Sequence, residues 1–77
     1  MKRKKLSLLT VPEIRLIEEL ANFTELQAEI FKMLTRDKSD VYIMTSLYIS
    51  NRRLYDEKTV IYGKARRVLG KDNVVGI

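Results

Sequence analysis

Arginine and lysine are the residues whose placement in this sequence suggests chemistry, and that chemistry is the binding of an anion. The chain has 77 residues, of which 15 are basic and 10 acidic, for a net charge of +5. Residues 1 to 5 carry four positive charges, residues 6 to 49 carry a net charge of −3, and residues 50 to 77 carry +4. An acidic middle between two basic ends favours a polyanion as the partner. The alternative is a solvated charged surface that binds nothing.

The sequence contains no histidine and no cysteine, which removes the usual sources of catalytic and metal-binding side chains. Histidine is the commonest general base and metal ligand, and cysteine supplies thiolates. Glu25 and Glu29 stand one helical turn apart, and we interpret them as a solvated face and not as a catalytic pair. We therefore expect no enzyme, no cofactor and no metal. No apolar run approaches the roughly 20 residues that span a bilayer, so we expect a cytoplasmic protein without a membrane partner.

The longest helical pattern in the sequence begins after Ser50 and runs to Leu69. Leu54, Ile61, Ala65 and Val68 fall on one apolar stripe within it. If this stripe faces the core, the period of the helix directs an outward line away from it, made of Arg52, Asp56, Thr59, Gly63 and Arg66. The residues of this segment that we expect to contact a partner are Ser50, Asn51, Arg52, Arg53, Tyr55, Asp56, Thr59, Arg66 and Arg67.

Four helices are predicted from apolar periodicity and from the residues that cap their ends. A Ser or Thr at the N-cap accepts a first-turn N–H, and Glu or Gln three residues later completes a capping box. The predicted caps are Thr10 with Glu13, Thr24 with Gln27, Ser39, Ser50 and, at the C-terminal end of the last helix, Gly70. We expect an all-α fold, a small bundle of about four helices over residues 10 to 70. Residues 1 to 9 are expected to form a flexible basic arm and residues 71 to 77 a C-terminal tail.

The apolar spacing also predicts which side chains are buried. The predicted inner stripe of the first helix, with Leu16 beside it, consists of Ile14, Ile17, Leu20 and Ala21. That of the third helix consists of Val41, Ile43, Met44 and Leu47. Tyr48 and Tyr62 are expected to half-bury their rings at the edge of the core.

The segment from residue 39 to residue 70 resembles a known DNA-binding arrangement. A short helix, a turn at residues 48 to 50 and a longer helix are the parts of a helix-turn-helix, whose second helix enters the major groove. Residues 47 to 50 (LYIS), Leu54 and residues 68 to 70 (VLG) resemble the DNA-binding domains of LuxR/GerE-type regulators, and sigma factor region 4 is similar. Residues 23 to 30 (FTELQAEI) resemble the L-T-x-x-Q-x-E-I opening of those domains. Glu57 and Lys58 stand where that family has an aliphatic stripe.

The resemblance implies sequence-specific binding of double-stranded DNA in transcriptional control. Arg52 lies early in the last helix, where contacts to base edges usually originate, and an arginine there can contact guanine O6 and N7. The basic residues expected to neutralise phosphates are Arg52, Arg53, Lys64, Arg66, Arg67 and, in the arm, Lys2, Arg3, Lys4 and Lys5.

Three alternatives stand beside this interpretation. The same fold would serve as a protein-interaction module that binds an RNA polymerase subunit or forms a homodimer, with little or no DNA contact. The basic arm would equally serve as a terminus that aids solubility. An enzyme is the third alternative, and the missing histidine and cysteine argue against it.

Overall fold

The computed structural model describes residues 6 to 70, and all regular structure within them is helical. A short 3-10 helix over Leu6–Leu8 comes first. Four α-helices follow: α1 over Val11–Leu20, α2 over Glu25–Thr35, α3 over Asp40–Leu47 and α4 over Asn51–Leu69. The prediction of an all-α fold with about four helices is confirmed.

The predicted capping residues open all four α-helices. Thr10 Oγ1 accepts the backbone N–H of Glu13 at 3.3 Å, and Glu13 Oε1 accepts that of Thr10 at 2.8 Å. Thr24 and Gln27 form the same reciprocal pair, at 3.1 Å in both directions. The two remaining caps, each accepting one first-turn N–H at 3.1 Å, are Ser39 and Ser50. An N-cap of this kind contributes about 1 kcal/mol, so local sequence fixes where each helix starts.

The core lies along the inner face of α4, which packs against α1, α2 and α3. Leu54, Ile61 and Ala65 of α4 are buried, as the sequence predicts. The largest fully buried side chains of the other helices are Ile17, Ile30, Phe31 and Ile43. Burying an aliphatic or aromatic side chain of this size stabilises the fold by about 1.5–3 kcal/mol. Rotation of α4 about its axis would expose these contacts, so the core sets which side of α4 faces solvent.

Residues 6 to 9 are not part of a flexible arm, which corrects the boundary expected from the sequence. Leu6 and Leu9 are only 3% and 7% exposed, and the 3-10 helix packs against α2. The backbone N–H of Leu9 donates to the carbonyl of Leu6 at 3.2 Å. Side chains three apart in a 3-10 turn lie on the same side, so both leucines reach the core together. The basic arm residues 2 to 5 and the tail 71 to 77 lie outside the described residues.

The buried faces of α1 and α3 are narrower than their apolar stripes predict. Leu16, Leu20 and Val41 are exposed, whereas Ile17 and Ile43 of the same predicted stripes are fully buried. Both helices pack chiefly against α4. A helix with one main neighbour buries one line of side chains, so apolar residues beside that line remain in solvent.

Candidate nucleic-acid interface

The connection between α3 and α4 has the length predicted from the sequence. α3 ends at Leu47, and Tyr48 adopts the left-handed conformation with φ 57° and ψ 45°. The backbone N–H of Ile49 donates to the carbonyl of Met44 at 3.2 Å, and the Ile49 side chain packs against the core. Ser50 then caps α4. A helix, a three-residue turn and a longer helix therefore follow one another at the expected positions.

The outward line of α4 is where the sequence places it. Arg52, Asp56 and Thr59 are exposed, and Gly63 continues the line with partial exposure. Thr59 Oγ1 donates to the backbone carbonyl of Tyr55 at 3.0 Å. We call Arg52, Asp56, Thr59 and Gly63 the outer face of α4. Of the other contact residues predicted from the sequence, Asn51, Arg53, Tyr55 and Arg67 are also exposed, and Arg66 is partly so.

Arg52 makes only a loose ion pair. Its Nε lies 3.7 Å from Asp56 Oδ2, and the two side chains are 86% and 60% exposed. Ion pairs between exposed side chains contribute about 0–1 kcal/mol. Arg52 can therefore leave Asp56 for an incoming anion at little cost.

Arg53 belongs to a connected polar network. Its Nε donates to Glu57 Oε2 at 2.8 Å, and Gln27 Nε2 donates to Glu57 Oε1 at 2.9 Å. Lys64 Nζ donates to Gln27 Oε1 at 3.0 Å and to the backbone carbonyl of Asn22 at 2.9 Å. The network joins the α1–α2 connection, α2 and α4. Glu57 therefore makes polar contacts to both α2 and its own helix.

The network includes one residue predicted to neutralise phosphate and adds two that were not predicted. Lys64 is the predicted one, and its ammonium group donates to two oxygens and lies 5.7 Å from the centre of the Phe23 ring. Gln27, buried by the fold, and Glu57 were not expected at the site. The spacing of Arg53 and Glu57, one helical turn apart, is the signal that points to their pair. Nothing local in the sequence indicates the contact between Gln27 and Glu57.

The carboxylate of Glu57 is held in its charged form. Hydrogen bonds from Gln27 and from Arg53 lower the pKa of Glu57, against a smaller opposing effect of burial. Hydrogen bonds to a carboxylate favour ionisation. Glu57 is therefore a permanent acceptor for the Arg53 guanidinium at neutral pH.

Lys58 connects α4 to α3. Its Nζ lies 3.1 Å from Asp40 Oδ1, and its side chain is mostly buried. Tyr62 packs beside this pair at the edge of the core, as predicted, and burial raises the pKa of its hydroxyl. Glu57 and Lys58 thus fix α4 against α2 and α3 respectively.

The last turns of α4 present a different arrangement of charge. Arg66 and Arg67 form no ion pair with any described residue. With Gly63 and Gly70 they line a surface depression of about 420 Å³. Apart from the adjacent residues and the nearby backbone of α4, no atom lies within 4 Å of the position that a Cβ on Gly63 would occupy. Two unpaired guanidinium groups beside an open backbone are suited to an anion.

Exposed aromatic rings surround the turn. Tyr48 is 93% exposed, so the expectation that it half-buries its ring is wrong. Its left-handed backbone ends α3 and directs the side chain away from the core. Tyr55 and Tyr42 are also exposed, and Lys38 Nζ lies 4.9 Å from the centre of the Tyr42 ring.

The charges separate by helix. α4 contains six basic and two acidic residues, whereas acidic residues outnumber basic ones in α1 and α2. The exposed acidic residues of α1 and α2 are Glu18, Glu19, Glu25 and Glu29. The positive charge of the described helices is therefore concentrated on α4.

Comparison with known proteins adds no further assignment. No protein-family model, no curated protein and no solved structure matches the chain. The described residues contain no group of three or more carboxylates that could hold a metal ion. None of the helices between residues 6 and 70 combines the length and apolarity needed to cross a membrane.

Proposed function

We propose that this protein binds double-stranded DNA in a sequence-specific manner, with α4 in the major groove, and acts in transcriptional control. The observation that carries the proposal is the outer face of α4. It places an exposed, loosely paired arginine near the N-terminal end of a helix whose opposite face is locked into the core. The N-terminal residues of such a helix are the ones that reach base edges. The resemblance of residues 23 to 70 to LuxR/GerE-type domains supports the same proposal.

Each part of α4 has a role in this proposal. Arg52 contacts a base edge, with Tyr55 and Thr59 beside it. Arg53, Arg66 and Arg67 contact phosphates. Ser50 and Asn51 stand at the start of the helix, where backbone N–H groups and small polar side chains also contact phosphates. The arm residues Lys2, Arg3, Lys4 and Lys5 add charge near the same polyanion.

A binding titration at several salt concentrations tests the proposal. A fluorescent duplex chosen from a random-sequence selection and a scrambled duplex are titrated between about 50 and 200 mM salt. We expect log K to fall linearly with log salt on both duplexes, because each neutralised phosphate releases counterions. We also expect the selected duplex to bind more tightly at every salt concentration. Absence of binding to either duplex at the lowest salt concentration would contradict the proposal.

The second candidate function is a protein-interaction module on the same fold. The observation that favours it is the exposure of Tyr42, Tyr48, Tyr55 and Val41 around α3 and the turn. Aromatic residues are enriched at protein interfaces. This candidate predicts a concentration-dependent homodimer, or binding to an RNA polymerase subunit, that Tyr48→Ser abolishes. Sedimentation velocity of the wild type and the variant over a range of concentrations measures the first of these outcomes.

A further inference from the structure

The two arginine–carboxylate pairs on α4 have the same sequence spacing but different support. Asp56 faces Arg52 across 3.7 Å and makes no hydrogen bond to a neighbouring helix. Glu57 faces Arg53 across 2.8 Å and is itself held by Gln27 of α2. The side chain of Glu57 is 16% exposed, whereas that of Asp56 is 60% exposed. One carboxylate is fixed by the fold and the other is not.

The orientation of Gln27 is fixed from its other side. Its Oε1 accepts from Lys64 Nζ at 3.0 Å and from the backbone N–H of Thr24 at 3.1 Å. The hydrogen-bond partners of an amide side chain distinguish its carbonyl end from its NH₂ end. Because two donors contact this oxygen, the NH₂ group of Gln27 is the end that faces Glu57. Each oxygen of Glu57 then has one donor, Gln27 on Oε1 and Arg53 on Oε2.

The Arg53 guanidinium is consequently held through one nitrogen only. Its Nε–H is used by Glu57, whereas a guanidinium carries five N–H donors in a planar fork. The side chain is 57% exposed, so the four terminal N–H groups are available at the surface. A fork whose stem is fixed loses less conformational entropy when it contacts an anion.

We propose that Gln27 and Glu57 are positioning residues that hold the Arg53 guanidinium in one orientation, so that it makes a fixed contact to a phosphate of the bound DNA. This inference rests on the proposed function and adds to it the device that sets the register of α4. Phosphate contacts fix the position of a protein on the duplex without reading sequence. The loosely paired Arg52 is then presented to the bases from a helix that Arg53 has already placed.

Glu57→Gln is the informative variant, because positioning and charge predict opposite results. A glutamine can still accept from Gln27 through its oxygen, but its NH₂ group then faces Arg53 and cannot accept a hydrogen bond. The substitution also removes a negative charge beside a surface that binds a polyanion, which by charge alone strengthens binding. If Glu57 positions Arg53, affinity instead falls by about threefold or more on selected and scrambled duplexes alike. Tighter binding by Glu57→Gln would overturn the positioning role.

Glu29→Gln is the matched control. It removes the same charge by the same substitution from an exposed residue of α2 that lies outside the network, so we expect unchanged or tighter binding. An equal loss of affinity in both variants would show that the loss does not come from the Gln27–Glu57 support, and would overturn the inference. Thermal unfolding by circular dichroism confirms that each variant is folded at the titration temperature.

Arg53→Lys tests the same idea from the other partner and leaves Gln27 and Glu57 intact. Lysine keeps the positive charge but lacks the planar fork, so we expect a loss similar to that of Glu57→Gln. Adding Glu57→Gln to Arg53→Lys should cause little further loss, since the two substitutions interrupt one contact. Wild-type affinity for Arg53→Lys, or full additivity of the two losses, would contradict the inference.

An NMR measurement on the free protein separates failure of this inference from failure of the proposed function. The Nε–H of Arg53 should give a resolved, slowly exchanging signal that disappears in Glu57→Gln and persists in Glu29→Gln. Loss of the signal accompanied by weaker DNA binding supports the inference. If the wild-type protein binds DNA but lacks this signal, the positioning role alone is overturned. If it shows the signal but binds no DNA at low salt, the proposed function is overturned, and the phosphate contact with it.

Discussion

The two ends of α4 carry arginines in different surroundings. Near the N-terminal end, Arg52 and Arg53 each face a carboxylate one turn later. Near the C-terminal end, Arg66 and Arg67 face no carboxylate among the described residues. A paired arginine attracts a distant anion less strongly, and where its carboxylate is itself held, as for Arg53, it gains a preferred orientation. An unpaired arginine keeps its full charge and its rotamer freedom.

This difference suits two kinds of contact on one helix. Arg52 can read a base edge only if α4 lies in one register, because a bidentate contact to guanine has narrow geometry, and the oriented Arg53 would set that register on a phosphate. Arg66 and Arg67 would neutralise phosphates through charge alone. Under the proposed function, sequence preference therefore resides at the N-terminal end of α4 and salt-dependent affinity at its C-terminal end.

The largest effect should come from a core substitution that destabilises α4 as a whole and so disturbs both of its ends. Leu54 is buried beneath the first turns of α4, and Leu54→Ala should lower the free energy of unfolding by about 2–5 kcal/mol through lost burial and a cavity. Urea denaturation measures the change. Val60→Ala, on an exposed part of the same helix, is the control and should cost less than about 0.5 kcal/mol. If Leu54→Ala lowers the free energy of unfolding by less than about 0.5 kcal/mol, the orientation of α4 described above is contradicted.

That orientation was predictable because its determinants are local. A cap at Ser50 and a stripe at Leu54, Ile61 and Ala65 define where α4 starts and which side it buries. The outer face of α4 follows from the period of the helix. Caps, periodicity and the length of the turn need no knowledge of the rest of the chain.

The parts that the sequence did not reveal depend on distant partners. Gln27 and Glu57 are 30 residues apart, and Lys64 is 37 residues from Gln27. Leu6 was assigned to an arm because its basic neighbours dominate the local composition, but α2 offers it an apolar contact. Tyr48 was expected at the edge of the core, but no neighbouring helix covers the turn where it lies.

At the N-terminal end of α4, Arg52→Ala should change DNA preference without changing the fold. The side chain is 86% exposed, so its removal leaves the core untouched. If Arg52 contacts a base, affinity for the preferred duplex should fall by about 1–3 kcal/mol and preference should relax at one base pair. Titration against duplexes that vary one position at a time measures both changes. Equal losses on preferred and scrambled DNA would reduce Arg52 to a phosphate contact and remove the difference between the two ends.

At the C-terminal end, Arg67→Ala should act on all DNA sequences alike. Arg67 is exposed and lines the depression beside Gly63. Loss of one phosphate contact should reduce the slope of log K against log salt by about 1. The same titration series gives this slope for both duplexes. A change in sequence preference, or an unchanged slope, would contradict the assignment of this end to phosphates.

Gly63 lies between the two ends, and Gly63→Ala should produce the smallest change. The position is helical, and beyond the adjacent residues and the nearby helix backbone no atom lies within 4 Å of the added Cβ. Alanine there restricts the unfolded chain and favours the helix, so the free energy of unfolding should rise by about 0.4–1 kcal/mol. Gly70→Ala is the matched control, because its Cβ also meets nothing within 4 Å beyond the adjacent residues but its φ is +85°. That backbone conformation is unfavourable for alanine, so Gly70→Ala should destabilise. If urea denaturation shows that both substitutions change stability in the same direction, backbone conformation does not distinguish the two glycines, and α4 does not run unbroken between its two ends.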